Sequence, residues 1–238
     1  MTRDILHNEQ ADTPAQELIA IAESVRGTFQ TMEAMVESFL RQAILQGVYK
    51  PGERLNQDAI ADMLGVSRMP VRASLHQLEA DGLVRIKSHR GAAVSVLQRH
   101  EIAEIYELRV LIEGHLLKLA IAPRLSDEDL ADLEEIAREV DDESAMPGRV
   151  ERRKDFYERL YELADSPRAL AIAQQLRDSV GRYLLMIRAG ELHSHEDLLV
   201  HLRTRDQVAA KKWLTDHLRS VSRKIQASVP DNQNSPGK

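Results

Sequence analysis

The sequence predicts a mainly α-helical protein, in which a winged helix-turn-helix unit of three helices plus a β-hairpin wing precedes an all-α bundle of six to seven helices. Three observations predict this fold class. Two short amphipathic segments meet at a glycine corner within residues 57–80. A stretch of alternating apolar residues with a central turn follows directly. After about Gln98 the strand signals end, and helical periodicity continues to Ala227.

The composition is typical of a folded, soluble protein. A chain of 238 residues is long enough for two domains. Hydrophobic residues make up 43% of the chain and charged residues 29%, and no stretch approaches the roughly 18 apolar residues of a membrane span. The first residues lack the apolar stretch of a secretory signal, so we expect a cytoplasmic protein without membrane contact. The absence of cysteine excludes disulfides, thiolate nucleophiles and Cys-based zinc sites.

We divide the chain into four segments. Residues 1–30 mix polar and apolar residues around Pro14 and predict a loose N-terminal arm with one or two helical turns. Residues 31–98 form the winged unit, residues 99–228 the all-helical domain, and residues 229–238 a flexible tail. The sequence leaves open whether the arm packs on the helical domain, packs across a dimer or stays mobile.

The three helices of the winged unit have clear start and stop signals. The first begins near Thr31 and carries apolar residues at spacings of three and four. Asn56 is the predicted N-cap of the second helix, and Gly65 forms the tight turn after it. Ser67 is the predicted N-cap of the third helix. Pro70 costs little in the first turn of that helix, because the N–H groups there have no intrahelical acceptor.

The third helix separates an apolar stripe from a basic one. The apolar residues are Val71, Leu75 and Leu78, and the residues on the opposite side, at intervals of four, are Arg68, Arg72 and His76. An isolated stripe of this kind is most simply a solvated helix face. Its position directly after the corner predicts instead that the first turn enters a DNA major groove, and we expect Arg68, Arg72 and His76 to contact the DNA. Because the net charge is −6, any nucleic-acid surface has to be local.

The chemistry of this face suits double-stranded DNA. A guanidinium binds a phosphate or bridges O6 and N7 of guanine, and the sequence does not decide whether Arg68 or Arg72 contacts a base. The Ser67 hydroxyl and the helix N-terminal amides suit a phosphate, the alternative being that Ser67 is a cap and nothing more. At the predicted wing tip, Arg90 and Gly91 can approach a groove closely.

The stretch LRQAILQGVYKPGERLNQDAIADMLGVSRMPVRASLHQLEADGLV, followed by HRGAAV, resembles the winged-helix domain of GntR-family bacterial transcription regulators. The PG-x-x-L, LGVSR-x-PVR and L-x-x-DGLV elements occur in order and at the family spacing. Ser74 departs from the Glu of many relatives, a change that affects helix packing rather than DNA binding. The resemblance implies DNA contacts from the third helix and the wing, made by Ser67, Arg68, Arg72, His89, Arg90 and Gly91.

The segments ELRVLIE, RRKDFYERLYELADSPRAL and HEDLLVHLRTRDQVAAKKWLTDHL resemble the FCD effector domain of the FadR-like subfamily. In many such domains an Asp and a His four residues apart, with two later histidines, bind a divalent metal that holds a carboxylate effector. His195 and His217 match the later histidines, but Arg153 stands in the Asp position and Tyr157 in the His position. Arg109 matches an Arg that often faces the effector pocket in this family.

These departures predict a metal-free site for a small organic acid. Two imidazoles beside a guanidinium suit a divalent cation such as zinc poorly, so we expect no cofactor; His195 and His217 are the ligands if a metal is present. Arg153 can bind a carboxylate directly, with hydrogen bonds from Tyr157 and the two histidines. The alternatives are a solvated Arg153 and structural roles for Tyr157 and His217.

The sequence therefore predicts a ligand-responsive, DNA-binding transcription regulator. We expect a homodimer that binds a palindromic DNA operator, with one half-site for each winged unit. A repressor that its effector releases is expected from the resemblance alone. One alternative is a helical protein-interaction module without operator binding. A His-metal hydrolase is the other, although the chain has no HExxH motif, nucleophile elbow or phosphate-binding glycine loop.

Overall fold

The computed structural model describes residues 14–87, 90–121, 125–141, 149–186 and 194–229. They belong to two compact units, Met1–Ser95 and Val96–Lys238. Each unit has its own core of buried apolar side chains. The predicted fold class, a winged helix-turn-helix unit followed by an all-α bundle, is confirmed.

The first unit contains four helices and three short strands within the described residues. They are α1 (Pro14–Val25), α2 (Met32–Leu45), β1 (Arg54–Leu55), α3 (Gln57–Leu64), α4 (Arg68–Ala80), β2 (Val84–Lys87) and β3 (Gly91–Val94). The three predicted helices are α2, α3 and α4, and the predicted wing is the antiparallel pair of β2 and β3. Residues 88 and 89, which include the predicted contact residue His89, lie outside the described residues.

Strand β1 adds a third strand to a wing that the sequence predicts as a hairpin alone. It pairs antiparallel with β3, with Leu55 opposite Ala92, so the strand order is β1-β3-β2. Two residues are too few to show an alternating pattern, which explains why sequence periodicity misses this strand. The pairing brings Arg54 to the wing.

The described part of the N-terminal arm, from Pro14 onward, is more helical than the sequence predicts. In place of one or two turns, the chain from Pro14 onward forms the 12-residue helix α1, with Ile21, Ala22 and Val25 buried. The core that includes these side chains is that of the winged unit, and Arg26 Nη2 donates to the carbonyl of Met63 at 3.1 Å. A helix this short depends on tertiary packing more than on its own propensity, so its pattern alone gave a weak signal.

The helix-turn-helix corner forms as its sequence predicts. Asn56 Oδ1 accepts hydrogen bonds from the backbone N–H groups of Asp58 and Ala59, at 3.0 and 3.3 Å. Gly65 ends α3 with a φ of 68°, in the left-handed region that favours glycine. Behind the corner, Ser74 on α4 donates from Oγ to the carbonyl of Glu33 at 2.8 Å. This bond gives Ser74 a packing role between α4 and the start of α2.

The second unit is a bundle of six α-helices and one 3-10 helix in its described residues. They are α5 (Arg99–Ile121), α6 (Asp127–Asp141), α7 (Arg149–Glu162), α8 (Pro167–Gly181), the 3-10 helix Arg182–Met186, α9 (Glu196–Arg203) and α10 (Gln207–Ser228). Helix α5 packs against α7, α8 and α10. The inward faces of these helices therefore meet in the bundle core. No helix in the described residues combines the length and apolarity that crossing a membrane requires.

Candidate functional site

The basic face of α4 is exposed, and its apolar face is buried. Arg68, Arg72 and His76 are exposed, whereas Val71, Leu75 and Leu78 have no accessible surface. Helix α4 therefore has the apolar face and the opposite basic face that the sequence predicts. Exposure alone is compatible with both a solvated face and a DNA-binding face.

Ser67 occupies the N-cap position of α4, but its side chain makes no capping hydrogen bond. Its φ of −76° and ψ of 168° are the extended values of an N-cap residue. Ser67 is therefore an N-cap residue by its backbone conformation, and its hydroxyl makes no capping bond. At an exposed helix start, that hydroxyl and the first N–H groups can be offered to an anion such as a DNA phosphate.

The third helix and the wing share two grooves within the first unit. Arg72 and His76 line one groove together with Lys87 and Gly91. The other groove is lined in part by Arg68, Arg54, Arg90 and Gly91. Five of the seven predicted DNA-contacting residues thus line these two grooves: Arg68, Arg72, His76, Arg90 and Gly91. Ser67 is exposed directly before Arg68, and His89 lies outside the described residues.

Two acidic residues also lie at this surface. Arg68 forms an ion pair with Asp58 at the start of α3, and both side chains are largely exposed. Glu79 Oε1 accepts a hydrogen bond from the backbone N–H of Ile86 at 2.8 Å, which connects α4 to β2.

Arg54 lies at the same surface but is not among the residues that the sequence predicts for it. Its Nη2 donates to the carbonyl of Arg90 at 2.5 Å. Arg54 is positioned by β1, and a strand of two residues is too short to be predicted from the sequence.

The core of the second unit contains a network of charged and aromatic side chains. Glu113 on α5 is fully buried; its Oε1 accepts from Arg109 Nε at 2.6 Å, and its Oε2 from the Tyr161 hydroxyl at 3.0 Å. Arg177 Nε lies 3.5 Å from the same Oε2. Burial raises the pKa of Glu113, but the charges of Arg109 and Arg177 outweigh it and hold that pKa below its ordinary value. Glu113 is therefore an anion that two arginines stabilise.

Arg153 on α7 is buried, so the interpretation as a solvated residue is wrong: only 6% of its surface is exposed. Its Nη2 lies 3.2 Å from Nε2 of His217 on α10. The His217 ring stacks on Trp213, with ring centroids 4.8 Å apart and planes at 8°. Trp213 therefore fixes the plane of an imidazole that meets Arg153 edge on.

His195 is fully buried beside the aromatic residues of α7. Its ring centroid lies 4.7 Å from that of Phe156 and 5.6 Å from that of Tyr157. Asp141, which sequence analysis did not select, lies with Oδ1 2.7 Å from His195 Nδ1 and accepts from the His195 backbone N–H at 2.7 Å. Burial raises the pKa of Asp141, but hydrogen bonds from His195 and Ser194 outweigh it and lower that pKa.

All five residues predicted to bind the effector are buried in this unit, and contacts connect most of them. The Arg177 guanidinium carbon lies 4.6 Å from the Tyr157 ring centroid and 5.1 Å from that of Tyr161. This contact links the Arg109–Glu113 pair to Tyr157 and so to His195. Glu113 and Arg177 are not among the residues that the sequence predicts for this site. Glu113 was detectable as the residue four positions after Arg109, a spacing typical of helical ion pairs.

The residues present do not fit a divalent metal. In the described parts of the chain, no group of three or more His, Asp or Glu side chains is placed to hold one. The Nε2 of His217 already faces the Arg153 guanidinium. Two imidazoles, one of them held against an arginine, lack the ligand number that a divalent metal requires.

Two family models match the chain in sequence. Residues 33–94 match the model described as bacterial regulatory proteins, gntR family, and residues 104–220 match the FCD domain. The two matched regions fall in the first and second compact units respectively.

Single relatives are similar over most of their length. The HTH-type transcriptional regulator YdhC of Bacillus subtilis is 24% identical over 188 residues, 75% of this chain and 84% of that protein. The HTH-type transcriptional repressor RspR of Escherichia coli is 24% identical over 212 residues, 85% of this chain and 92% of that protein. The structure of E. coli McbR/YncC shares the fold with a TM-score of 0.74 at 23% identity, covering 84% of this chain and 99% of that one.

Proposed function

Because the chain belongs to the gntR family of bacterial regulatory proteins and carries an FCD domain, we propose that this DNA-binding transcription regulator responds to a small organic acid in its helical domain. We further propose that it acts in the cytoplasm as a homodimer on a palindromic operator, and that the acid releases it from DNA. The family resemblance and a relative named as a repressor support a repressor that its effector releases from DNA.

The observation that carries the proposal is the buried polar network of the helical domain. A bundle that served only as a scaffold would fill its core with apolar side chains, because buried charges are costly unless they are paired. Here α5, α7, α8 and α10 instead bury charged or ionisable side chains, namely Arg109, Glu113, Arg153, Arg177, Asp178 and His217. Cationic groups outnumber carboxylates in this set, which favours an anionic ligand.

Regulation requires the acid to distinguish two arrangements of the DNA-binding units in the dimer. The ligand shifts the equilibrium only by its differential affinity, typically about 1–3 kcal/mol. One contact in the second unit suits such coupling. The backbone N–H of Leu97, two residues beyond Ser95, donates to the Tyr183 hydroxyl at 2.9 Å, and Tyr183 lies in the 3-10 helix that follows α8.

The test begins with DNA. An operator selected from random-sequence duplexes is titrated with the protein over a salt series. A dimer that neutralises roughly eight phosphates gives a log–log slope of about −7. Arg72→Ala should bind at least about ten-fold more weakly, while Gln77→Ala, an exposed neutral position on the same helix, should bind like the parent. A slope near zero and an unaffected Arg72→Ala would favour the protein-interaction module.

Effector response is measured on the same operator. Acetate, pyruvate, succinate and citrate are added separately to the protein–operator complex, with chloride at equal ionic strength as control. Release by one of them at concentrations that leave the chloride control bound supports the proposal. Sedimentation of the free protein at twice the 26.9 kDa chain mass supports the homodimer.

A further inference from the structure

Arg177 on α8 has a carboxylate at its Nε edge, and in the described part of the chain its two Nη groups have no hydrogen-bond partner. The residue is 9% exposed, and its Nε lies 3.5 Å from Glu113 Oε2. Its guanidinium carbon lies above the rings of Tyr157 and Tyr161. Within the described residues, neither Nη1 nor Nη2 has a hydrogen-bond partner.

Tyr157, whose ring lies under the Arg177 guanidinium, also has a buried polar group without a partner among the described residues. Tyr157 is 5% exposed, and its hydroxyl has no hydrogen-bond partner in the described part of the chain. Buried polar groups are hydrogen-bonded in nearly all proteins, because an unsatisfied donor loses its water without compensation. Two adjacent side chains with unsatisfied donors indicate a polar ligand that contacts both.

Arg109, in contrast to the Nη groups of Arg177, has a charged partner. Its Nε bonds to Glu113 at 2.6 Å; burial lowers the pKa of Arg109, but Glu113 outweighs that effect and raises it. Glu113 therefore compensates Arg109 and also holds the Nε edge of Arg177. The Nη groups of Arg177 form the planar fork that matches the two oxygens of a carboxylate.

We propose that Arg177 binds the carboxylate of the effector through Nη1 and Nη2, and that the Tyr157 hydroxyl donates a further hydrogen bond to it. Arg109 is then a positioning residue, which acts on Arg177 through Glu113. This inference rests on the proposed function and assigns the contact within its site. A carboxylate fits better than a phosphate group, because Glu113 lies 3.5 Å from the guanidinium and would repel a second negative charge.

The test compares three variants of the full chain. Arg177→Met removes the charge but keeps an apolar side chain, Arg177→Lys keeps the charge but loses the fork, and Arg168→Met changes an exposed arginine of the same helix. Binding of acetate, pyruvate, succinate and citrate is measured by thermal unfolding and calorimetry, with inorganic phosphate as the competing anion.

We expect the acid that stabilises the parent to bind Arg177→Met about 30-fold more weakly or worse, and Arg168→Met like the parent. Without acid, Arg177→Met should lower the unfolding temperature less than Glu113→Ala does, because Glu113 keeps its hydrogen bond from Arg109 at 2.6 Å when Arg177 is lost. A purely structural Arg177 would lower that temperature and leave acid binding by the folded protein unchanged. Arg177→Lys, which retains a buried cation, should also bind the acid at least about ten-fold more weakly.

The outcomes separate this inference from the proposed function. If an acid stabilises the parent and releases it from the operator, but binds both Arg177 variants as tightly as the parent, the assignment of Arg177 is wrong and the proposed function stands. If phosphate binds the parent more tightly than every acid, the carboxylate class is wrong. If no acid stabilises the parent or releases it from DNA, both proposals fail.

Discussion

The Arg153 guanidinium lies 3.2 Å from Nε2 of His217. A guanidinium has only donors, so Nε2 is the acceptor in this contact, and the proton of the neutral ring is on Nδ1. The nitrogen that would otherwise be available to a metal therefore faces a positive charge. The exchange of a carboxylate for an arginine at position 153 thus changes the state of His217 as well as the ligand count.

We expect zinc to leave the thermal unfolding of chelator-stripped parent protein unchanged. The double substitution Arg153→Asp with Tyr157→His should create a zinc-dependent rise, because it removes the competing cation and supplies two ligands beside His195 and His217. At a hundred times the dissociation constant the gain is about 2.7 kcal/mol. Adding His217→Ala should abolish it. A zinc shift in the parent that His217→Ala removes would contradict the metal-free site.

The sequence predicts those parts of the site that lie on one helix. The stripe of Arg68, Arg72 and His76 follows from helical periodicity, and the structure exposes it as a unit. Periodicity gives no information on pairs that only the bundle brings together. His195 and Asp141 are 54 residues apart in sequence, and no spacing rule connects them. The family resemblance predicts that Arg109 faces the effector, but it does not indicate that Glu113 compensates the charge of Arg109.

Replacement of Glu113 by alanine should strongly destabilise the second unit. It would leave Arg109 and Arg177 buried without their carboxylate, and breaking a buried ion pair by removing one partner costs about 3–5 kcal/mol. Glu107→Ala is the matched control on the same helix, since Glu107 pairs with Arg219 at the surface and should contribute less than about 1 kcal/mol. Urea unfolding followed by circular dichroism measures both. Equal effects of the two substitutions would contradict the role of Glu113.

Glu113 should also make the stability of this unit depend on acid pH. Its pKa is lowered in the folded protein from the ordinary value of 4.5, so the unfolded chain takes up the proton first as the pH falls. The stabilisation is therefore fully present above about pH 4.5 and is lost progressively below it. Unfolding free energies between pH 6 and pH 3 should fall less steeply for Glu113→Gln than for the parent. Parallel curves for the two proteins would show that Glu113 is not the titrating group.

Asp58 should weaken DNA binding by competing for Arg68. The two side chains form an ion pair beside the wing, and a carboxylate at that position also faces the phosphates in the proposed complex. Asp58→Asn should therefore tighten binding to random-sequence DNA and steepen the salt slope of the dimer by about 1.8, about 0.9 for the phosphate contact that Arg68 gains in each subunit. Asp62→Asn, an exposed position on the same helix, changes the net charge equally and should leave the slope unchanged. If both substitutions act alike, net charge explains the effect.

Tyr183→Phe should reduce the response to the effector more than it reduces effector binding. Its hydroxyl accepts the backbone N–H of Leu97 at 2.9 Å, and both residues are buried. Removal of the hydroxyl leaves that N–H unsatisfied, at a cost of about 1–3 kcal/mol. Because Tyr183 lies six positions after Arg177, the lost bond loosens the connection between α8 and the segment after Ser95. Acid binding by calorimetry should stay within about three-fold of the parent, a change below 1 kcal/mol, while the acid-induced loss of operator affinity should shrink. An undiminished response would show that coupling does not pass through this bond.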